Sequence, residues 1–276
     1  MNRKEEKIIN RYKEILDNIE WSFSTLNQYC TCPYSMYLKK IEGIRGDDNA
    51  YAEIGSYGHD LNERIFKGEI SVQEALEECI DEFEDHIFYY ISESSKEKKY
   101  QELCDYLAEF NEKFRDDYDV LGVEVEFHWK IGKHKCIGFA DLILKRKSDG
   151  AVFLVDHKSA PHFLKKDGTP LKNQEENLNT YKKQMYMYAD AMKKKLGFYP
   201  DYIVWNHFLD KSNTTVIPFL KEELAEALNW FKETVSKIYK DKEFEAIDSY
   251  MMCGQLCNYR YGLCDYKEMR REEREE

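Results

Sequence analysis

Residues 153–160 read FLVDHKSA, an apolar run (Phe153, Leu154, Val155) that drives straight into Asp156, His157 and Lys158. Successive strand side chains point to opposite faces. Asp156 and Lys158 therefore share one face, and His157 points to the other. Charge inside a strand is costly unless something answers it, so the pair calls for a chemical reason. Upstream lies KCIGFADLILKR (135–146), a second run of β-formers, and Lys147-Ser148-Asp149-Gly150 between the two has the length and composition of a hairpin turn. With those four residues as the loop, Arg146 pairs with Ala151 and opposed residue numbers always sum to 297, which sets Asp141 directly across from Asp156. Opposed residues share a face with Cβ atoms about 4.5–5.5 Å apart. Two carboxylates that close need a cation or a shared proton. A divalent metal fits, with Lys158 beside it to hold a water and to stabilise charge developing on a phosphate. Plainer readings stay open. One aspartate caps the turn, Lys158 is a simple ion-pair partner, or a one-residue slip separates the carboxylates onto opposite faces.

The chain around this hairpin has 276 residues, 42% of them apolar, 13 glycines and 5 prolines. That is enough for a substantial core, with no low-complexity linker and no repeat of fixed period. The expected organisation is one domain over residues 1–276. The N-terminus MNRKEEKIINRYKEIL is charged, and no stretch approaches the ~18–20 apolar residues of a membrane span. A cytoplasmic protein with no membrane partner is the expectation, its eight cysteines reduced, buried or metal-bound rather than disulfide-paired. Net charge is −12, unlike the basic footprint of many nucleic-acid proteins. It is unevenly spread: residues 74–86 hold seven acids and no Lys or Arg, whereas residues 157–195 carry a net +5. The basic stretch permits a polyanionic partner, although a solvated helix face explains such runs as well.

Periodicity places helices at 3–18, from a Ser24 cap onward with Pro33 marking a bend or fresh start, at 54–67, about 71–92, 96–118, 175–196 and 220–241. Strands are expected at 123–131, 135–145, 151–158, 202–209 and 214–219. Helices, three strands, a helix, strands and a helix suit an α/β architecture, a central mixed sheet flanked by helices.

Gly138-Phe-Ala-Asp141 followed by Asp156-His-Lys158 resembles the divided signature of the PD-(D/E)XK nuclease superfamily. Further segments are similar to its RecB-like exonuclease branch. GSYGH (55–59), continuing to Glu63, resembles a G-x-x-x-H-x-x-x-E segment whose histidine binds metal, which implies that role for His59. QMYMYA (184–189) resembles a Q-x-x-x-Y motif. Gln184 is then implied near the catalytic water or metal, and Tyr188 near the phosphate backbone or in packing, although Tyr181, Met185, Tyr188 and Met192 also read as a core stripe. SFSTLNQYCTCPYSMYL (22–38) resembles an S-x-S-x-L-x-x-Y-x-x-C-P opening. Cys32 with Cys253, Cys257 and Cys264 resembles the ligand set of the iron–sulfur members, which implies a [4Fe–4S] cluster. The C-x3-C-x6-C spacing is one residue longer at each gap than the usual family pattern, and Zn²⁺ is the alternative. Cys30, Cys79, Cys104 and Cys136 lie outside the pattern and read as packing residues.

The resemblance covers about residues 22–266. It implies a restriction-endonuclease-like fold with a helical insertion at 69–120, and a cysteine-cluster segment with a charged tail at 250–276. It also implies a Mg²⁺- or Mn²⁺-dependent DNA nuclease, an exonuclease processing DNA ends in recombination, repair or phage replication. Asp141, Asp156, His59 and the His157 carbonyl would hold the metal, Lys158 would serve the attacking water, and Glu124 or Glu126 could add an outer carboxylate. Implied partners are single-stranded or duplex DNA ends and a helicase or replication protein, in a bacterial cell or phage-infected host. The alternative is a catalytically inactive DNA- or partner-binding module of the same fold.

Overall fold

In the computed structural model, residues 12–111, 113–210, 213–247, 249, 252–260 and 264 are described. The chain packs as two units. The described residues of Met1–Asn49, Lys130–Ile137 and Asn229–Glu276 form the first, and those of Ala50–Trp129 and Gly138–Leu228 form the second.

In the first unit, residues 12–18 are helical and lead to Trp21, whose backbone bridges Cys136 through Trp21 N to Lys135 O (2.8 Å) and Ile137 N to Trp21 O (3.0 Å). Helix α1 (Phe23–Thr31) begins one residue before the expected Ser24 cap, because Ser22 Oγ accepts from Thr25 N. Pro33 opens α2 (Pro33–Lys40), where its missing N–H would have had no partner anyway. Trp21, Leu26, Met36, Phe231 and Phe244 are buried here.

The second unit holds α3 (Ala50–Lys67), α4 (Val72–Glu82) and α5 (Glu93–Ala108). Ser71 and Glu74 close a capping box on α4. Apolar stripes of the three helices meet in one core that includes Ile54, Leu61, Ala75, Cys79, Leu103 and Leu107. Next come β1 (Tyr118–Ile131), β2 (His134–Arg146), β3 (Val152–Lys158), α6 (Glu175–Leu196), β4 (Tyr202–His207), β5 (Asn213–Pro218) and α7 (Lys221–Lys240), the last continuing into the first unit. Gly197 ends α6 in the left-handed conformation, φ 90°.

The sheet order is β1-β2-β3-β4-β5. β2 and β3 are antiparallel, β3 and β4 parallel, and β4 and β5 antiparallel. The parallel pair requires the crossover that α6 supplies. This is the mixed, helix-flanked sheet expected from the sequence. Leu142, Phe153, Val155 and Val204 pack with Phe66 of α3 on one face. Asp156 faces α6 on the other, where Gln184 reaches it. Among the described residues no helix is long and apolar enough to cross a membrane.

Candidate active site

The β2–β3 ladder pairs Leu142 with Val155 and Leu144 with Phe153, and Arg146 N donates to Ala151 O at 2.8 Å. Carried one step further, that register sets Asp141 against Asp156, as the turn length implied. Asp141 Oδ2 accepts from His157 N at 2.7 Å. Burial, and then the neighbouring Asp156 carboxylate, hold the Asp141 carboxyl well above the usual carboxylate range. Lys158 Nζ sits 2.7 Å from Asp156 Oδ2 in an ion pair, yet that oxygen has no partner in hydrogen-bond geometry and is buried. Burial alone would lower the Lys158 pKa; Asp156, Tyr181 and Asp141 outweigh it and leave it raised. Lys158 Nζ also lies 4.6 Å from the centre of the Tyr181 ring.

Gln184 joins the two charges. Its Nε2 donates to Asp156 Oδ1 (3.1 Å), and its Oε1 accepts from Lys158 Nζ (3.3 Å). Nε2 also reaches Tyr188 OH at 3.4 Å. Tyr188 is buried, and burial pushes its phenol up to about 12. Its ring lies over Gly138, where a Cβ would come within 2.5 Å of Tyr188 Cε1. The glycine of the GFAD stretch is thus a seat for the tyrosine, and Tyr188 packs rather than faces solvent.

Helix α3 brings His59 to the same spot. Its Nε2 is 2.7 Å from His157 O, and Nδ1 is 3.7 Å from Asp141 Oδ2. Burial lowers its pKa, favouring the neutral ring that can ligate. The two glycines of GSYGH permit the approach: a Cβ on Gly58 would meet Phe208 Cε2 at 2.3 Å, and one on Gly55 would meet Ser159 Oγ at 3.3 Å. Glu63, one turn on, pairs with Lys67.

Glu124 completes the cluster. His59, Glu124 and Asp141 offer ligand atoms all within 4.8 Å of one another, the one such group among the described residues. Glu124 has φ 47°, a left-handed conformation that a side chain resists. Around it the in–out alternation of β1 loses phase: Tyr118 and Val120 face inward, but so do Phe127 and Trp129. That kink re-aims one carboxylate. Burial and the nearby Glu63 raise its pKa. Glu126 instead is exposed and hydrogen-bonds His128 at 3.0 Å. A histidine nitrogen and two partly buried carboxylates of raised pKa within 4.8 Å of one another, beside the buried Asp156, are a donor set that suits a hard divalent cation. The cleft above, about 540 Å³, is lined by small residues such as Ala52, Gly55 and Ser159 beside His59 and Glu124.

A buried polar chain that sequence reading missed lies behind His157. Tyr106 OH donates to Asn62 Oδ1, and Asn206 Nδ2 donates both to Tyr106 OH (2.9 Å) and to His157 Nδ1 (2.9 Å). His157 stacks on Phe66, and burial holds its pKa well below the usual value. The imidazole is thereby locked as a neutral acceptor, which fixes the backbone N–H and carbonyl that face Asp141 and His59. The Lys-rich α6 is less free than its composition suggested. Lys182 pairs with Glu223, Lys194 with Asp190, Lys193 caps Gly197 O, and Lys195 reaches Glu126 O. Lys165, Lys166 and Lys172, in the segment before α6, are exposed.

In the first unit, Cys32, Cys253, Cys257 and Cys264 line one cavity with Tyr34 and Arg260. Burial raises the Cys257 thiol. Cys79 and Cys136 are buried packing residues and Cys104 is half-buried, but Cys30 is exposed, correcting its reading as a packing residue.

A family model described as the PD-(D/E)XK nuclease superfamily matches residues 20–268. The chain belongs to the PD-(D/E)XK nuclease superfamily. A crystal structure from Eubacterium rectale named "Putative exonuclease" is similar over 94% of this chain and 90% of that one, with 15% identity and a TM-score of 0.51, a likeness of fold. No curated protein matches the sequence. Within this PD-(D/E)XK chain, the residues of the divided signature are those the β2–β3 hairpin brings face to face.

Proposed function

We propose that the chain is a Mg²⁺- or Mn²⁺-dependent DNA nuclease of the RecB-like branch, an exonuclease working on DNA ends. The observation that carries this is the opposed pair Asp141 and Asp156, with His59 Nδ1 3.7 Å from Asp141 Oδ2, His59 Nε2 hydrogen-bonded to the His157 carbonyl at 2.7 Å, and Lys158 tied to Asp156 at 2.7 Å. Asp141, Asp156, His59 and the His157 carbonyl would hold the ion, and Glu124 would add a third carboxylate. Bound there, a divalent ion supplies charge stabilisation for a phosphodiester. Lys158 holds the attacking water with an N–H and stabilises negative charge growing on the phosphate oxygens. Gln184 grips both Lys158 and Asp156, so the ammonium keeps one position, and Tyr188 keeps Gln184 in its rotamer. In-line displacement then leaves a phosphate on one product and a hydroxyl on the other.

Residues 69–120 would be an insertion in a single nuclease domain, and the enzyme would act in recombination, repair or phage replication with a helicase or replication partner. The four cysteines would hold a [4Fe–4S] cluster. A single zinc at about 2.3 Å from each sulfur needs sulfurs roughly 3.8 Å apart, and no three of these approach within 4.8 Å. Zinc is the second reading. Absorbance at about 400 nm supports the cluster, and equimolar zinc without it overturns that reading. The activity is tested with 5′- and 3′-end-labelled single strands and duplexes in Mg²⁺ or Mn²⁺. Stepwise release of short products from one end is expected. Absence of cleavage in both metals overturns the proposal, and internal cuts alone overturn the exonuclease part.

A further inference from the structure

Cys79 of α4 and Cys104 of α5 meet in the core of the three helices, their sulfurs 3.6 Å apart. Both are free thiols, Cys79 fully buried and Cys104 half-buried. A free cysteine fills a core as a small apolar side chain, and one would serve that purpose without the other. Two sulfurs in contact across a helix pair are a chemical arrangement as well as a packing one. Among the described residues, no third histidine, cysteine or carboxylate joins them closely enough to hold a metal. The arrangement is that of a dithiol.

Little movement separates it from a bond. A disulfide sets its sulfurs about 2.05 Å apart, so the pair must approach by about 1.5 Å. Small rotations of two side chains supply a shift of that size. The two thiols differ in access. Cys104 is partly open to solvent and Cys79 is not, so an oxidant meets Cys104 first. Burial raises the Cys79 thiol, and the Cys104 sulfur beside it raises it further. Oxidation of Cys104 removes the second of these causes and eases the proton off Cys79.

We infer that Cys79 and Cys104 form a peroxide-responsive dithiol that cross-links α4 to α5. The Cys104 thiolate attacks one oxygen of hydrogen peroxide, the O–O bond breaks, hydroxide leaves, and the sulfur becomes a sulfenic acid. Cys79 gives up its proton and attacks that sulfur. The S–O bond breaks, and the departing hydroxide takes the proton as water. In all, the two thiols lose two electrons and two protons, and one peroxide becomes two waters. A thiol reductant reverses the bond by exchange.

The disulfide closes the loop from residue 79 to residue 104, which removes freedom from the unfolded chain. It also pins α5 two residues before Tyr106, whose hydroxyl joins Asn62 to Asn206 behind His157. Oxidation thus stiffens the support of the His157 backbone. The inference concerns the helical layer and stands whether or not the chain cleaves DNA.

The test uses the full-length protein, reduced and freed of reductant, with hydrogen peroxide raised until the exposed Cys30 is oxidised. Remaining thiols are blocked with iodoacetamide, and a tryptic digest is analysed by mass spectrometry without reduction. Tryptic peptides 68–96 and 100–113 carry Cys79 and Cys104 respectively and no other cysteine. They are expected as one joined species, two hydrogens lighter than their sum, which dithiothreitol separates. On oxidation the melting temperature of wild type should rise by several degrees relative to Cys104→Ala treated alike. That comparison cancels events at the other six cysteines. Recovery of the two peptides singly overturns the inference, as does Cys104 joined to a different cysteine. A joined pair with no relative rise overturns the stabilising role of the bond. If Cys104→Ala does not fold, the peptide map of wild type still decides, because it needs no variant.

Discussion

At the scale of single residues, the site is built as much by what is missing as by what is present. Gly138 and Gly58 each leave room for a ring, Tyr188 and Phe208 respectively, that a single Cβ would strike. Gly138→Ala is therefore expected to lower stability by about 1–3 kcal/mol through overpacking, seen as a lower melting temperature. The same change in a Tyr188→Ala background should cost little, because the clash has gone. Asn206 is the other silent residue, supplying donors to both Tyr106 OH and His157 Nδ1. Asn206→Leu leaves His157 Nδ1 unmet and takes one of the two partners of Tyr106 OH, a loss of about 1–3 kcal/mol. It should also lower kcat more than it raises KM, since His157 presents its backbone to the site. Equal kcat for wild type and variant would contradict that positioning role. Glu124 belongs here too: no sequence rule announces a glutamate at φ 47°.

At the scale of elements, the β2–β3 hairpin was the most legible part of the chain. A four-residue turn fixes register, register fixes which residues oppose, and so two aspartates fifteen positions apart could be paired from spacing alone. The end of α6 was equally plain, because Lys193–Lys195 and Gly197 carry the capping pattern in their composition. Lys193 and Lys195 of that turn also reach backbone carbonyls, Gly197 O and Glu126 O. The start of α1 was ambiguous because Ser22 and Ser24 both suit a cap, and their hydroxyls lie 2.9 Å apart. The parallel β3–β4 pair makes a testable statement about pH. His207 on β4 is fully buried, with Nδ1 donating to Ala160 O at 2.8 Å and Nε2 accepting from Thr215 Oγ1 at 3.1 Å. Burial lowers its pKa to about 4. The unfolded chain takes up this proton near pH 6.5 and the folded chain does not, so the contribution is complete above about 6.5. It is lost as pH falls from there to about 4, amounting to about 3 kcal/mol. Chemical denaturation at pH 7.5 and 5 should show His207→Gln flattening the slope by part of that amount. An unchanged slope would contradict the neutral, buried ring.

At the scale of the whole molecule, the architecture followed from the order of periodic segments, and the superfamily from a handful of residues on two strands and two helices. The buried Asn62–Tyr106–Asn206–His157 chain did not, because its members lie on four elements and share no spacing. The cysteines pose the remaining whole-chain question, since they join residues 221 positions apart around one cavity of the first unit. Were the proposed cluster bound there, Cys32→Ser would abolish its absorbance at about 400 nm and lower the melting temperature, because metal binding and folding are coupled. The central claim is tested most directly by pairing cleavage with Mn²⁺ binding in wild type, Asp141→Asn and Lys158→Ala. The account predicts that wild type binds Mn²⁺ and cleaves a labelled single strand. It predicts that Asp141→Asn loses both, and that Lys158→Ala keeps the ion while its cleavage rate falls at least a hundredfold. Undiminished cleavage by Lys158→Ala, or Mn²⁺ binding untouched by Asp141→Asn, would contradict it.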